Sequence, residues 1–118
     1  MFKSKLKNAV DSVKGGEAVI LMGFDGIPVD LYDAGTQLDI ETVGMEFSVV
    51  LKEVRKAADM LDSGQANEMT VRTDTMSAVL RVVNDSYFLA MAVSPEGNVG
   101  KAKYVLRVLG PDLNEDLI

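Results

Sequence analysis

The longest regular pattern in the sequence is a run of apolar residues at helical spacing between positions 40 and 61. Asp39 precedes the run and suits the N-cap position of a helix, and Ser63-Gly64 follows it with residues that commonly end one. The pattern predicts one helix of about six turns. Because one face is apolar along its whole length, this helix needs a broad apolar surface to pack on. The apolar positions are Ile40, Val43, Phe47, Val50, Val54, Ala57 and Leu61.

Five segments around this helix have the composition of β-strands, two before it and three after it. The first two are joined by Asp25-Gly26, a turn typical of a tight hairpin. Pro28 predicts an edge position for the second strand, because proline has no N–H to donate. The continuous apolar run YFLAMAV predicts that the last strand is central. The five segments are residues 17–23, 27–33, 68–73, 76–83 and 87–93.

Shorter helical patterns lie at both ends of the chain, over residues 2–13 and from residue 99 to a stop at Gly110-Pro111. The element order α-β-β-α-β-β-β-α predicts an α/β (α+β) fold, an α/β/α sandwich with a five-stranded, mainly antiparallel sheet. The two terminal helices should cover one face and the long helix the other. We expect one domain over residues 1–111, followed by a frayed acidic tail over residues 112–118.

The composition excludes several classes of function. The chain contains no cysteine and no histidine, which removes disulfides, thiolate metal sites, cysteine nucleophiles and the commonest general base. A net charge of −6 argues against nucleic-acid binding. The purely apolar runs, such as residues 18–22 and 88–93, are far too short to span a membrane. The first helix is too charged for a signal peptide, so we expect a cytoplasmic protein.

Two groups of acidic residues suggest a catalytic or metal-binding site, but neither matches the motif that it suggests. Asp62-Ser63-Gly64 matches the aspartic-protease triplet, but it follows a long helix, where serine and glycine are ordinary terminating residues. Asp30 and Asp33 stand at odd spacing in a strand and point to opposite faces, and together with Asp25 they do not match a calcium loop. The sequence therefore predicts no enzyme, no metal and no cofactor.

The unusual residues of the long helix point to a surface instead. Gly44 and Ser48 form a strip of small residues that would let another backbone approach, although a glycine near a helix start is also unremarkable. Met45 and Val49 form a second apolar patch away from the main stripe. One helix cannot bury two apolar faces against one sheet, so the second patch predicts a partner, commonly another copy of the chain. The segment from residue 66 to 73 should also leave an unpaired sheet edge.

The order of elements and several short motifs resemble the Roadblock/dynein-light-chain family. Members of that family have a strand such as EAVILMG, then a hairpin similar to Phe24-Asp25-Gly26-Ile27-Pro28, and a closing helix that begins with an element like Asn98-Val99-Gly100. The match runs through nearly the whole chain in order. Each motif is weak alone, and their succession is more specific.

The resemblance implies a homodimer whose long helices pack side by side and whose third strands pair into one continuous sheet. It also implies a small Ras-like GTPase as partner, docked on the helix pair, and it allows stimulation of GTP hydrolysis without a catalytic residue from this chain. The residues implied at the dimer contact are Gly44, Met45, Phe47, Ser48, Leu51, Arg55, Met69, Val71 and Thr73. The GTPase-facing candidates are Lys52, Glu53, Lys56 and Asp59, for which an ordinary solvated helix face is the alternative.

Two other functions stay open from the sequence. A domain of profilin-like shape can bind a small molecule between its sheet and a helix, or can act as an adaptor for another protein. An enzyme would need a pair of carboxylates in a cleft, and no such pair is evident in the sequence.

Overall fold

The order of helices and strands in the computed structural model, which describes residues 2–117, is the predicted one. Every predicted element is present, with ends that differ by a few residues. The elements are α1 (Phe2–Asp11), β1 (Gly16–Gly23), β2 (Pro28–Asp33), α2 (Ile40–Met60), β3 (Glu68–Arg72), β4 (Ser77–Val82), β5 (Tyr87–Val93) and α3 (Val99–Asp116).

The five strands form one sheet in the order β2-β1-β5-β4-β3, and every neighbouring pair is antiparallel. The apolar strand β5 lies in the middle, as its composition predicts. Strand β2 lies at one edge, and the β1–β2 register shifts beside Met22, which faces Pro28. The prediction from Pro28 is thus confirmed. Strand β3 forms the other edge.

Helices cover both faces of the sheet, because alternate strand residues point to opposite sides. On one side α1 and α3 pack on residues such as Val19, Leu89 and Met91. On the other side α2 packs on Ile20 and Phe88. Strand β5 is buried on both faces, which explains why its sequence does not alternate. The predicted division of the helices between the two faces is confirmed.

The face of α2 that meets the sheet is rotated from the predicted stripe. Val50 and Val54, assigned to the core from their spacing, are 44% and 36% exposed. Gly44 lies on the buried side instead, where an added Cβ would stand 3.2 Å from Met22 Sδ and 3.3 Å from Ile20 Cγ2. The small residue allows α2 to lie close to β1 and determines which side of the helix faces the sheet. The buried residues of α2 are Ile40, Val43, Gly44, Ser48 and Leu51.

The last helix extends beyond its predicted end. The stop at Gly110-Pro111 is wrong, because α3 continues to Asp116 with Pro111 inside it. Leu113 follows Leu109 at helical spacing and is fully buried, so apolar packing outweighs the hydrogen bond that proline cannot donate. The expected fraying of residues 112–117 is therefore also wrong, and Ile118 lies outside the described residues.

Candidate interaction surface

Strand β3 leaves one row of backbone groups without a partner among residues 2–117. The Thr73 N–H donates to the Met76 carbonyl at 2.8 Å, and the Val82 N–H donates to the Asn67 carbonyl at 2.9 Å. Because hydrogen-bonding direction alternates along an antiparallel strand, the N–H and C=O groups of Glu68, Thr70 and Arg72 point away from β4. These groups form an open edge of the kind that pairs readily with another strand.

A half-exposed apolar surface lies next to this edge on the α2 side of the sheet. Met69 and Val71 stand opposite Leu80 and Ala78 of β4, so their side chains point toward the α2 layer. Met69 packs against the same core as Phe47, which is only partly buried. Val50 and Val54 follow Phe47 by three and seven residues and so lie on its side of the helix. We call Met69 and Val71, which lie beside the open edge, the β3 shelf. Phe47, Val50 and Val54 form an apolar flank of α2.

The outward side of α2 carries a second strip, in which apolar residues are followed by cations. Met45 and Val49 are exposed there, and Lys52 and Lys56 continue the strip at steps of three and four residues. The Lys56 ammonium is 3.2 Å from a Glu53 carboxylate oxygen. Lys52 forms no ion pair within residues 2–117, so its charge is free to meet a partner.

Arg55 has partners at one end of the sheet. Its guanidinium lies 3.3 Å from the Asp85 carboxylate and 4.8 Å from the centroid of the Phe24 ring. The Phe24 ring in turn stands 5.1 Å from that of Phe88. Arg55 thus links α2 to the β1–β2 and β4–β5 turns.

The structure places the residues that the resemblance assigned to a dimer contact in several different environments. Gly44, Ser48 and Leu51 are buried against this chain's own sheet and present no side chain to a partner. Arg55 has the partners described above, and Met45 lies on the outward side of α2. Met69 and Val71 form the β3 shelf, and Phe47 belongs to the apolar flank of α2. Thr73 lies in the β3–β4 turn, where its hydroxyl donates to the Met76 carbonyl at 2.9 Å.

All four GTPase-facing candidates, Lys52, Glu53, Lys56 and Asp59, are exposed on α2. Sequence reasoning missed Val50 and Val54 as surface residues, because it assigned them to the core stripe. Gly44 and Ser48 were the available signal, since small residues mark the line along which a helix approaches a sheet closely.

Few groups in the described part of the chain have the chemistry of a reactive or metal-binding site. Residues 2–117 contain no group of three or more carboxylate, histidine or cysteine side chains placed to hold a metal ion. Hydrogen bonds to Asp116 and then Asp112 raise the pKa of Lys5 above its ordinary 10.5, and a hydrogen bond to Asp11 raises that of Lys7. No helix in the described residues is both long enough and apolar enough to cross a membrane.

A helix–sheet–helix sandwich with this element order and strand order is a Roadblock-type domain. MglC from Myxococcus xanthus is 36% identical to this chain in sequence, with 96% of each chain covered and a TM-score of 0.69. A Roadblock/LC7 domain from Streptomyces avermitilis has a TM-score of 0.86 at 17% identity and covers 98% of this chain and 96% of its own. MglB from Thermus thermophilus has a TM-score of 0.83 at 13% identity, covering 95% and 84%.

This chain belongs to the Roadblock/LC7 family. The likeness to MglC in sequence and coverage shows the membership, and the two more distant structures share the fold. The resemblance drawn from the sequence is therefore confirmed. No protein-family model matches the chain, and no curated protein matches it.

Proposed function

We propose that this protein is a non-catalytic homodimer that binds a small Ras-like GTPase, as a regulator or scaffold in a gliding-motility or cell-polarity system, and that it works in the cytoplasm. The observation that carries the proposal is the open edge of β3 with the β3 shelf directly beside it. An unpaired edge and an apolar surface that meet in one place suit a second copy of the chain. MglB from Thermus thermophilus, which shares the fold, is described as a gliding protein, and another MglB structure is described as tetrameric.

The outward groups of β3 suggest the register of the dimer. Thr70 lies midway between Glu68 and Arg72, and all three point their backbone groups outward. An antiparallel pair of β3 strands centred on Thr70 places Glu68 of each copy opposite Arg72 of the other, and opposite charges at facing positions stabilise a sheet. The proposed dimer also pairs the two α2 helices side by side, and the exposed Val50 and Val54 are the proposed helix contacts.

The remaining exposed side of α2 is the proposed surface for the GTPase. Met45 and Val49 supply apolar contact, and Lys52 and Lys56 supply positive charge at the same strip. Glu53 and Asp59 lie close to these cations on the helix and allow charge pairing with a partner of mixed sign. In this proposal any acceleration of GTP hydrolysis comes from positioning the GTPase's own residues.

The dimer is tested by measuring the mass of the purified protein by light scattering. We expect twice the chain mass of 12.7 kDa, which is 25.4 kDa. Thr70→Pro should convert the dimer to monomer without disturbing the β3–β4 pairing, because the N–H that it removes points away from β4. Val54→Asp should also dissociate the dimer, whereas Ile27→Asp, an equal charge change at an exposed residue outside both α2 and the β3 shelf, should leave the dimer mass unchanged. A wild-type monomer would overturn the proposal.

The GTPase is tested separately, with a Ras-like protein encoded near this one and loaded with GDP or a non-hydrolysable GTP analogue. We expect tighter binding to the GTP form, and weaker binding when Lys52→Glu and Lys56→Glu are combined. Equal binding of both nucleotide forms, or no binding by a protein shown to be dimeric, would contradict the GTPase as partner.

A further inference from the structure

We propose that the groove between α1 and α3 binds an acidic amphipathic helix of a partner protein. This groove lies on the face of the sheet opposite α2, so it is separate from the β3 shelf and from the proposed GTPase surface. The two helices run antiparallel, since Lys5 near the start of α1 contacts Asp112 and Asp116 near the end of α3. At the other end, the Asn98 N–H donates to the Lys14 carbonyl at 2.8 Å.

The groove has an apolar floor and an open top. It encloses about 440 Å³ over Ala9, Val105 and Leu109. Tyr104 and Val108 of α3 form one wall and are 52% and 56% exposed. Isolated exposed apolar residues are ordinary on a protein surface, but an exposed tyrosine and valine beside an apolar floor form a continuous patch that marks a contact site.

Two cations beside the Tyr104 wall of the groove have no counterion among residues 2–117. The Lys5 ammonium lies 3.2 Å from Asp112 and 3.1 Å from Asp116, so that end holds one positive and two negative charges. The Lys101 ammonium and the Arg107 guanidinium lie 5.9 Å and 5.5 Å from the centroid of the Tyr104 ring. Neither cation forms an ion pair with any residue from 2 to 117. This is notable in a chain with a net charge of −6.

The apolar groove and the two cations beside it indicate which kind of partner fits there. A helix that carries apolar residues at every third or fourth position can place them on the groove floor, while its carboxylates form charge-assisted hydrogen bonds with Lys101 and Arg107. An anionic bilayer also offers apolar and negative groups. It suits a convex apolar face better than a groove between two helices, and the acidic chain as a whole would be repelled.

The test uses a labelled helical peptide of about 15 residues, long enough for measurable helicity, with leucines on one face and glutamates on the flanks. A second peptide replaces each glutamate with lysine, and a third has the composition of the first in scrambled order. We expect saturable shifts of the backbone NMR signals of Ala9, Val105 and Leu109 with the first peptide alone. Combining Lys101→Glu with Arg107→Glu should weaken binding about tenfold, since reversal of each exposed cation changes attraction into repulsion.

The charge-matched control combines Lys52→Glu with Lys56→Glu on the opposite face of the sheet. It should leave the affinity for the acidic peptide within about twofold of wild type. Absence of groove shifts, equal affinity for all three peptides, or equal weakening by both charge-reversal pairs would overturn the proposal. Binding to phosphatidylglycerol vesicles that is lost only in the Lys101/Arg107 variant would also overturn it, and would assign the groove to a membrane surface. Failure of these experiments leaves the dimer and GTPase tests unaffected, because those probe α2 and β3.

Discussion

Replacement of Leu113 by alanine tests whether the end of α3 is part of the folded core. Leu113 has no exposed surface and packs in the layer beneath α1 and α3. A buried leucine replaced by alanine costs about 2–5 kcal/mol, which combines the lost burial with the cavity left behind, and we expect about 3 kcal/mol here. At about 2.1 cal/mol/K per residue, the unfolding entropy of 118 residues converts this into a fall in Tm of about 12 °C.

The assay is thermal unfolding followed by circular dichroism, at one protein concentration for all variants because the proposed dimerisation would raise the apparent stability. Glu115→Ala is the matched control. Glu115 is exposed and has no ion pair among the described residues, so its loss should change stability by no more than about 0.5 kcal/mol. A chain ended at residue 111 should lose cooperative unfolding. If Leu113→Ala melts within about 2 °C of wild type, or if the shortened chain unfolds like the full one, the packing of this helix end is refuted.

Three further predictions concern the helices. Gly44→Val should destabilise the protein by about 1–3 kcal/mol in urea unfolding because β1 leaves no room for the side chain, and an unchanged midpoint would contradict the close approach of α2. Pro111→Ala should stabilise the protein by about 1–3 kcal/mol in the same assay, since proline is the poorest residue for a helix interior; a loss of stability would show that the proline is needed there. The pKa of Lys5 is raised in the folded state above 10.5 by Asp116 and Asp112, so its stabilising contribution is complete below that pH and is lost as pH rises through the folded pKa. The stability gap between wild type and Lys5→Gln should therefore be constant from neutral pH to about 10 and close in more alkaline solution, and a gap that widens there would contradict this sign.

The sequence predicted the elements whose signals are local. Asp39 accepts hydrogen bonds from the Glu41 and Thr42 N–H groups at 3.1 and 3.4 Å, as an N-cap should. The missing N–H of Pro28 placed β2 at an edge, and the unbroken apolar run of β5 placed that strand in the middle. Each of these depends on a few neighbouring residues, so tertiary packing had little to change.

Two features were not predictable from local pattern because they depend on contacts between distant segments. The rotation of α2 follows from the fit of Gly44 against Met22 and Ile20 of β1, whereas spacing alone favoured the line through Val50 and Val54. This rotation also changes the candidate surface, because Val50 and Val54 are exposed rather than part of the core. Helix α3 continues because Leu113 packs into the apolar layer beneath the helix. In the sequence, Gly110 followed by Pro111 indicated a helix end instead.

The rotation of α2 also explains which apolar residues of this helix stay exposed. If the line through Val50 and Val54 faced the sheet, Gly44 would be turned away from β1 and the two valines would be buried. With Gly44 held against β1, both valines lie on the flank of α2 and are 44% and 36% exposed. The substitution that most disturbs the fit of α2, Gly44→Val, should therefore weaken self-association as well as folding. Val54→Asp should weaken self-association alone, and this difference separates a surface built by helix packing from a chance exposure of apolar side chains.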